Sequence, residues 1–248
     1  MKADRNVYWP EAWEGFSKKD LSPQKGYIIV DQPKSMFQKL FGCFSPGLEE
    51  KMKKDREIIY CLAKLDYDPD DSLHFGTIRA LFTSLTNEEL CPAIGLHWKR
   101  IGFQSDDPSR DFRATGMLGP LQISSFIFRH KEWAQEVHEL SLNEVQNFPL
   151  AVSQFGMTRI CLEIFRSGKL NGYCNCQTSY VTCFDDLYCA LTLLFYQNYV
   201  SENGTAAKYG IISQEVETKA KNKPVELLKK YQTIKNYESI KTLIDPLI

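Results

Sequence analysis

Between Trp98 and Leu121 the chain reads WKRIGFQSDDPSRDFRATGMLGPL. Gly102 and Gly116, a Gln, an Asp-Pro pair and an Asp-Phe-Arg triplet are packed between two apolar segments, and neither a helical nor a strand period accounts for them. A polar, Gly/Pro-punctuated loop of this kind serves to present a side chain. The side chain best suited is Arg113, a permanent cation whose planar guanidinium offers five donors. The other residues read as its mounting. Gly102 and Gly116 permit backbone angles that other residues resist. Trp98, Phe103 and Phe112 are apolar anchors for a polar loop. Asp107-Pro108 pre-sets a turn, and Asp106 or Asp107 can accept backbone N–H bonds within it. Gln104 can brace the backbone or reach a ligand, and Asp111 can orient Arg113. The alternative for Asp111 and Arg113 is an internal ion pair that only holds a turn.

The elements that must carry this loop are helical. Leu48, Met52, Ile58, Ile59, Leu62, Ala63 and Leu65 give an i, i+3/i+4 stripe that ends at DYDPDD, where Asp-Pro disfavours helix. Further helices are expected over Leu73–Leu85, from Leu118 to Ile127 with its continuation or a neighbour over His130–Leu142, from Phe148 to Gly168 or Gly172, from Phe184 to Asn198, and from Pro224 to Ile240. Thr86 and Glu89 have the spacing of a capping box for a short segment beginning at Asn87. Strand signals are nearly absent, the only candidate being Tyr27 to Val30. The fold class is therefore all-α, an irregular multi-helix domain. Residues 1–45 differ in texture, with aromatics scattered among Pro, Gly and charge. They predict an extended, aromatic-rich N-terminal arm lying on a surface, its own or a partner's, with a helical domain over 46–248.

Composition narrows the function. The 248 residues are 43% hydrophobic and 25% charged with a formal net charge of -1, which suits a globular core and gives no field for nucleic acid. The two ends are mildly basic and the body acidic. No apolar leader or span of membrane length stands out. The eight cysteines read as reduced cytosolic thiols, placing the chain in the cytoplasm. Cys174, Cys176, Cys183 and Cys189 lack the paired spacing of a zinc site, so no metal is expected. His74, His97, His130 and His138 are isolated, and no Walker phosphate loop occurs.

The loop resembles the ELMO domain, marked by W-x-x-x-G-F-Q-G-x-D-P-x-T-D-F-R-G-x-G-x-L. Trp98, Gly102, Phe103, Gln104, Asp107, Pro108, Asp111, Phe112, Arg113, Gly116 and Leu118 stand at matching positions, and the helical texture from about Pro46 to Asn203 agrees. Short members of that family resemble GTPase-activating proteins for Arf and Arf-like small GTPases, with the motif arginine as the proposed catalytic residue. Long members act as scaffolds with exchange factors for Rac, and this chain looks like the short type. The resemblance thus implies an arginine supplied in trans by Arg113, with no cofactor needed from this chain. The alternative it implies is a silent module in a cytoskeletal or ciliary assembly. The sequence departs from the pattern at Ser105, Arg110, Ala114 and Pro120. Two lost glycines imply altered backbone angles or a less close approach by a partner, while Arg110 adds a second cation that can aid phosphate contact.

Overall fold

A computed structural model describes residues 5–28, 46–89, 91–242 and 247. It is all-α, with no strand among the described residues. The helices are α1 (Glu11–Ser17), α2 (Ser22–Lys25), α3 (Glu50–Leu62), α4 (Ser72–Thr86), α5 (Leu118–Arg129), α6 (Lys131–Ser141), α7 (Leu150–Arg166), α8 (Asn171–Asn175), α9 (Tyr180–Ser201), α10 (Tyr209–Asn222) and α11 (Pro224–Ile234). Short 3-10 turns cover Leu96–Ile101, Pro108–Arg110 and Ile240–Thr242.

The core forms around α9. Its buried side chains run right round the helix, from Phe184 and Leu187 through Tyr188 and Leu191 to Phe195 and Tyr199, the pattern of a helix enclosed on every side. It packs against α3, α5, α7, α10 and α11. The two acidic residues near its start are enclosed too. Ser125 Oγ of α5 donates to Asp185 Oδ2 at 2.6 Å. Asp186 pairs with Arg129 of α5 and accepts from Gln232 Nε2 of α11 at 2.6 Å. Burial of this kind requires partners, and here two helices, α5 and α11, supply them.

Local chemistry sets the helix ends. Asp71 Oδ1 caps α4 through the amides of Leu73 and His74, and Asn87 ends it with φ 59°. Thr86 therefore closes α4 rather than opening a capping box. No helix starts at Asn87, and the Thr86 hydroxyl donates back to the Phe82 carbonyl. Gly168, at φ 74°, follows the end of α7. Pro120 sits in the first turn of α5, where its missing N–H had no intrahelical acceptor. The last helix stops at Ile234 rather than Ile240. Glu136 Oε2 of α6 instead captures the amides of Ile240 and Lys241.

The N-terminal stretch corrects the expectation of an extended arm within residues 5–28. There the chain forms α1 and α2, and Val7, Ala12, Phe16 and Leu21 join the same apolar cluster as the rest of the molecule. The cause is packing: α1 lies against α4, Val7 N donates to Gly76 O, and Phe16 stacks on His74. The candidate strand from Tyr27 to Val30 has its last two residues outside the described ones, and Tyr27 and Ile28 are not strand. The remainder of 1–45 also lies outside the described residues. Helix α10, absent from the sequence reading, buries only Ile212, Val216 and Ala220.

The buried histidines make stability pH-dependent. Burial lowers His74 and His130 to about 4, below the ordinary 6.5. Between those values the unfolded chain binds more protons, so stability falls as pH falls, by about 1.4 kcal/mol per pH unit for each such group. Asp185 opposes this: burial raises it to about 6, so the folded chain takes up its proton earlier on acidification. Two histidines against one aspartate leave a net loss. The melting temperature is expected to fall between pH 7 and pH 4.5, and Asp185→Asn to steepen that fall, as read by thermal unfolding across the range.

Candidate functional site

The Trp98–Leu118 segment is fastened at both ends by backbone contact that only glycine allows. Gly102 has φ 83°, and a Cβ there would lie 2.1 Å from Leu150 N and 2.7 Å from Ala151 N, against the first amides of α7. Gly116 has φ 50°, and its Cβ would lie 2.6 Å from Leu62 O and 2.7 Å from Leu65 O, against the end of α3. Met117 N donates to Leu65 O at 2.9 Å beside that contact. One end of the loop is thus set on α7 and the other on α3.

Aromatic rings fill the space between. Phe112 packs on Tyr67, Phe103 and Phe155 with centroids 5.3, 5.8 and 5.5 Å away. Phe103 continues to Trp98 at 5.5 Å, and Trp98 to Phe82 at 5.8 Å. These are edge-on or tilted contacts of the favourable kind. The three anchors Trp98, Phe103 and Phe112 are buried, and so is Pro108 of the turn.

The polar residues hold backbone. Asp107 Oδ1 accepts from Ser109 N at 3.0 Å and caps the Pro108–Arg110 turn. Asp111 Oδ2 accepts from Gln104 N at 3.1 Å and Ser105 N at 3.5 Å, clasping the two sides of the loop together. Burial raises the Asp111 carboxyl above its ordinary value, against the lowering effect of those amides and of Arg113's charge. Gln104 contributes its amide and leaves its side chain exposed. Asp106 O accepts from Gly95 N at 2.8 Å, tying in the preceding turn.

The two arginines differ. Arg110 is exposed, with Nε 3.9 Å from Asp107 Oδ2. Arg113 is exposed, and no described residue holds its guanidinium in a hydrogen bond or ion pair. The internal ion pair considered for Asp111 is therefore not formed. The departures at Ser105 and Ala114 cost little: neither has positive φ, and Ser105 Oγ accepts from Asp107 N at 3.1 Å, stitching the turn as a glycine cannot. The sequence did not reveal Tyr67, whose ring supports Phe112 and whose hydroxyl finds no partner among the described residues, nor the Leu65 carbonyl. The DYDPDD segment signalled a turn but not its contact with the loop. Among the described residues no group of side chains is arranged to hold a metal, and no helix is long and apolar enough to cross a membrane.

An all-helical domain with a loop clamped in this way defines the class. The profile of the ELMO/CED-12 family matches residues 57–213, and the chain belongs to that family. It is similar to human ELMO domain-containing protein 3, with 28% identity over 233 residues, 90% of this chain and 60% of the relative. The bovine protein of that name is 27% identical over 237 residues, 92% of this chain and 61% of the relative. ELMO domain-containing protein B of Dictyostelium discoideum is 27% identical over 194 residues, 77% of this chain and 63% of the relative. The chain spans about three fifths of the length of these relatives. No solved structure matches.

The clamp makes a directional prediction. Gly102→Ala and Gly116→Ala are each expected to destabilise the fold by about 3 kcal/mol or more, since both add a left-handed penalty to a collision with backbone. Gly156→Ala, on α7 with open space at its Cβ, is expected to stabilise by about 0.5–1 kcal/mol. Chemical denaturation of the three variants reads the contrast.

Proposed function

We propose that this chain is a GTPase-activating protein of the ELMO type, acting on an Arf-family small GTPase by placing Arg113 against the outer phosphate of its bound GTP. One observation carries the reading: an arginine stands exposed, with no ion-pair partner among the described residues, on a loop fixed at both ends. In GTP hydrolysis negative charge spreads over the transferring phosphoryl group. A guanidinium delivered in trans is worth about 10³–10⁵ in rate. That gain needs a donor that is already positioned and does not have to abandon an internal partner. Arg113 meets both conditions. Trp98, Phe103 and Phe112 provide the floor, Gly102 and Gly116 the fastening, and Gln104, Asp107, Pro108 and Asp111 the shape of the loop. Arg110 supplies additional positive charge beside it.

The reading as a silent scaffold in a cytoskeletal or ciliary assembly rests on the lost glycines and the aromatic-rich first 45 residues. Ser105 and Ala114 fit the loop without backbone strain, which favours the active reading. The site of action is proposed to be the cytoplasm, where such GTPases carry GTP.

Single-turnover hydrolysis with a panel of GTP-loaded Arf and Arf-like GTPases tests it. Wild-type chain is expected to accelerate at least one of them. Arg113→Ala and Arg113→Lys should lose about 10²-fold or more of that acceleration while melting with the wild type, because the side chain is exposed. Equal rates for wild type and Arg113→Lys would remove the catalytic role.

A further inference from the structure

Ile94 and Leu96 are 63% and 71% exposed, unusual for aliphatic side chains so close together. Scattered exposed apolar residues need no explanation, but these two sit on a turn tied down by hydrogen bonds and ring contacts. Trp98 Nε1 donates to Ala93 O at 3.2 Å, and Gly95 N, between the two side chains, donates to Asp106 O at 2.8 Å. His97 packs between Phe82 and Trp98 with centroids 5.1 and 4.9 Å away, and its Nε2 lies 3.7 Å from Cys91 Sγ. The Gly95–Asp106 bond joins this turn to the loop that presents Arg113. From Asp106 the connection runs through Ser105 to Asp111, whose carboxylate accepts the Ser105 and Gln104 amides, and Asp111 is two residues from Arg113. Two large apolar side chains and a free guanidinium therefore stand on one hydrogen-bonded unit.

We infer that Ile94 and Leu96 form the apolar anchor by which the partner GTPase docks, seated in an apolar hollow of the GTPase surface beside its nucleotide. The inference rests on the reading of Arg113 given above. The Gly95–Asp106 bond and the Asp111 clasp put this turn on the same hydrogen-bonded unit as Arg113, and these two residues are the large exposed apolar side chains of that unit. Held on a stiff turn, they have little conformational freedom to lose on binding, which is what makes an exposed side chain an efficient anchor. The polar loop beside them then supplies direction rather than adhesion.

The consequence is a division of labour that kinetics can separate. Leu96→Asp and Ile94→Asp are expected to raise the half-saturating concentration of this chain about tenfold or more in hydrolysis by a GTP-loaded Arf-family GTPase, with the saturating rate unchanged. Arg113→Lys is expected to do the reverse. Phe128→Asp is the control: Phe128 is 60% exposed and lies ten residues along α5 from its loop end, about 15 Å away. Equilibrium binding to GTPase loaded with a non-hydrolysable GTP analogue provides a second measurement, in which Arg113→Ala should still bind and Leu96→Asp should not. Ile94 and Leu96 variants that match wild type in both measurements overturn the anchor while leaving Arg113 in place. A wild-type chain that binds the GTPases through Ile94 and Leu96 but accelerates none removes the catalytic reading and keeps the anchor. A wild-type chain that neither binds nor accelerates any of them overturns both.

Discussion

At Gly102 the backbone comes so near the first amides of α7 that a single methyl group has no place, and at Gly116 it comes as near the last carbonyls of α3. The character of the loop between them follows from these two approaches. Its ends are held by different helices, so the intervening residues cannot collapse into the core as a unit, nor swing free of it. Phe103 and Phe112 can then sink while Gln104, Arg110 and Arg113 stay outside. Close approach of backbone to backbone is also the contact that tolerates least adjustment, because neither side can rotate out of the way as a side chain does. The loop inherits that stiffness.

How the acidic residues are used explains why one arginine is left over. Asp107 is occupied by the Ser109 amide and Asp111 by those of Gln104 and Ser105. Asp107 still lies 3.9 Å from Arg110 through its other oxygen, but Asp111, which accepts two backbone amides with one oxygen, makes no ion pair with Arg113. The interior shows the contrasting arrangement. Arg129, largely enclosed between α5 and α9, is paired with Asp186, and the same carboxylate is further satisfied by Gln232. Where this fold buries an arginine it supplies the counter-charge, as desolvation demands. At Arg113 no described residue forms an ion pair, which leaves that place to solvent or an anionic ligand.

Legibility in the sequence followed the width of each signal. The stripes of α3, α4, α5, α6, α7, α9 and α11 involve several apolar residues per two turns, and their existence could be read directly. Helix α10 could not, because a single file of Ile212, Val216 and Ala220 carries its burial while Ile211 points outward. The N-terminal stretch misled for a different reason. Prolines and glycines at short intervals suggest extended chain, but α1 is a short helix stabilised by tertiary contact with α4 and has almost no periodicity to read. Within the loop, the fastening glycines and ring anchors were legible from residue type alone. The direction of Asp111 was not, since a carboxylate two residues from an arginine and within reach of two amides has both options open until the backbone is placed. Leu65 escaped notice because a carbonyl contributes through its position and not its side chain.

Rigidity transmitted over short distances is what unites the apolar turn with the arginine. The link from Gly95 to Asp106 and the clasp at Asp111 are each local hydrogen bonds, of modest individual strength in water. Their effect is geometric. With Trp98 holding the first turn from beneath and Gly102 and Gly116 holding the loop, the remaining freedom of the unit is small. On the proposed reading, fixing the apolar pair relative to the arginine before a partner arrives removes the entropy that would otherwise oppose their simultaneous engagement. An irregular segment is well suited to this, because a helix spaces its exposed residues by a fixed period whereas a loop clamped at two points can set an apolar pair and a cation at whatever separation the opposing surface demands.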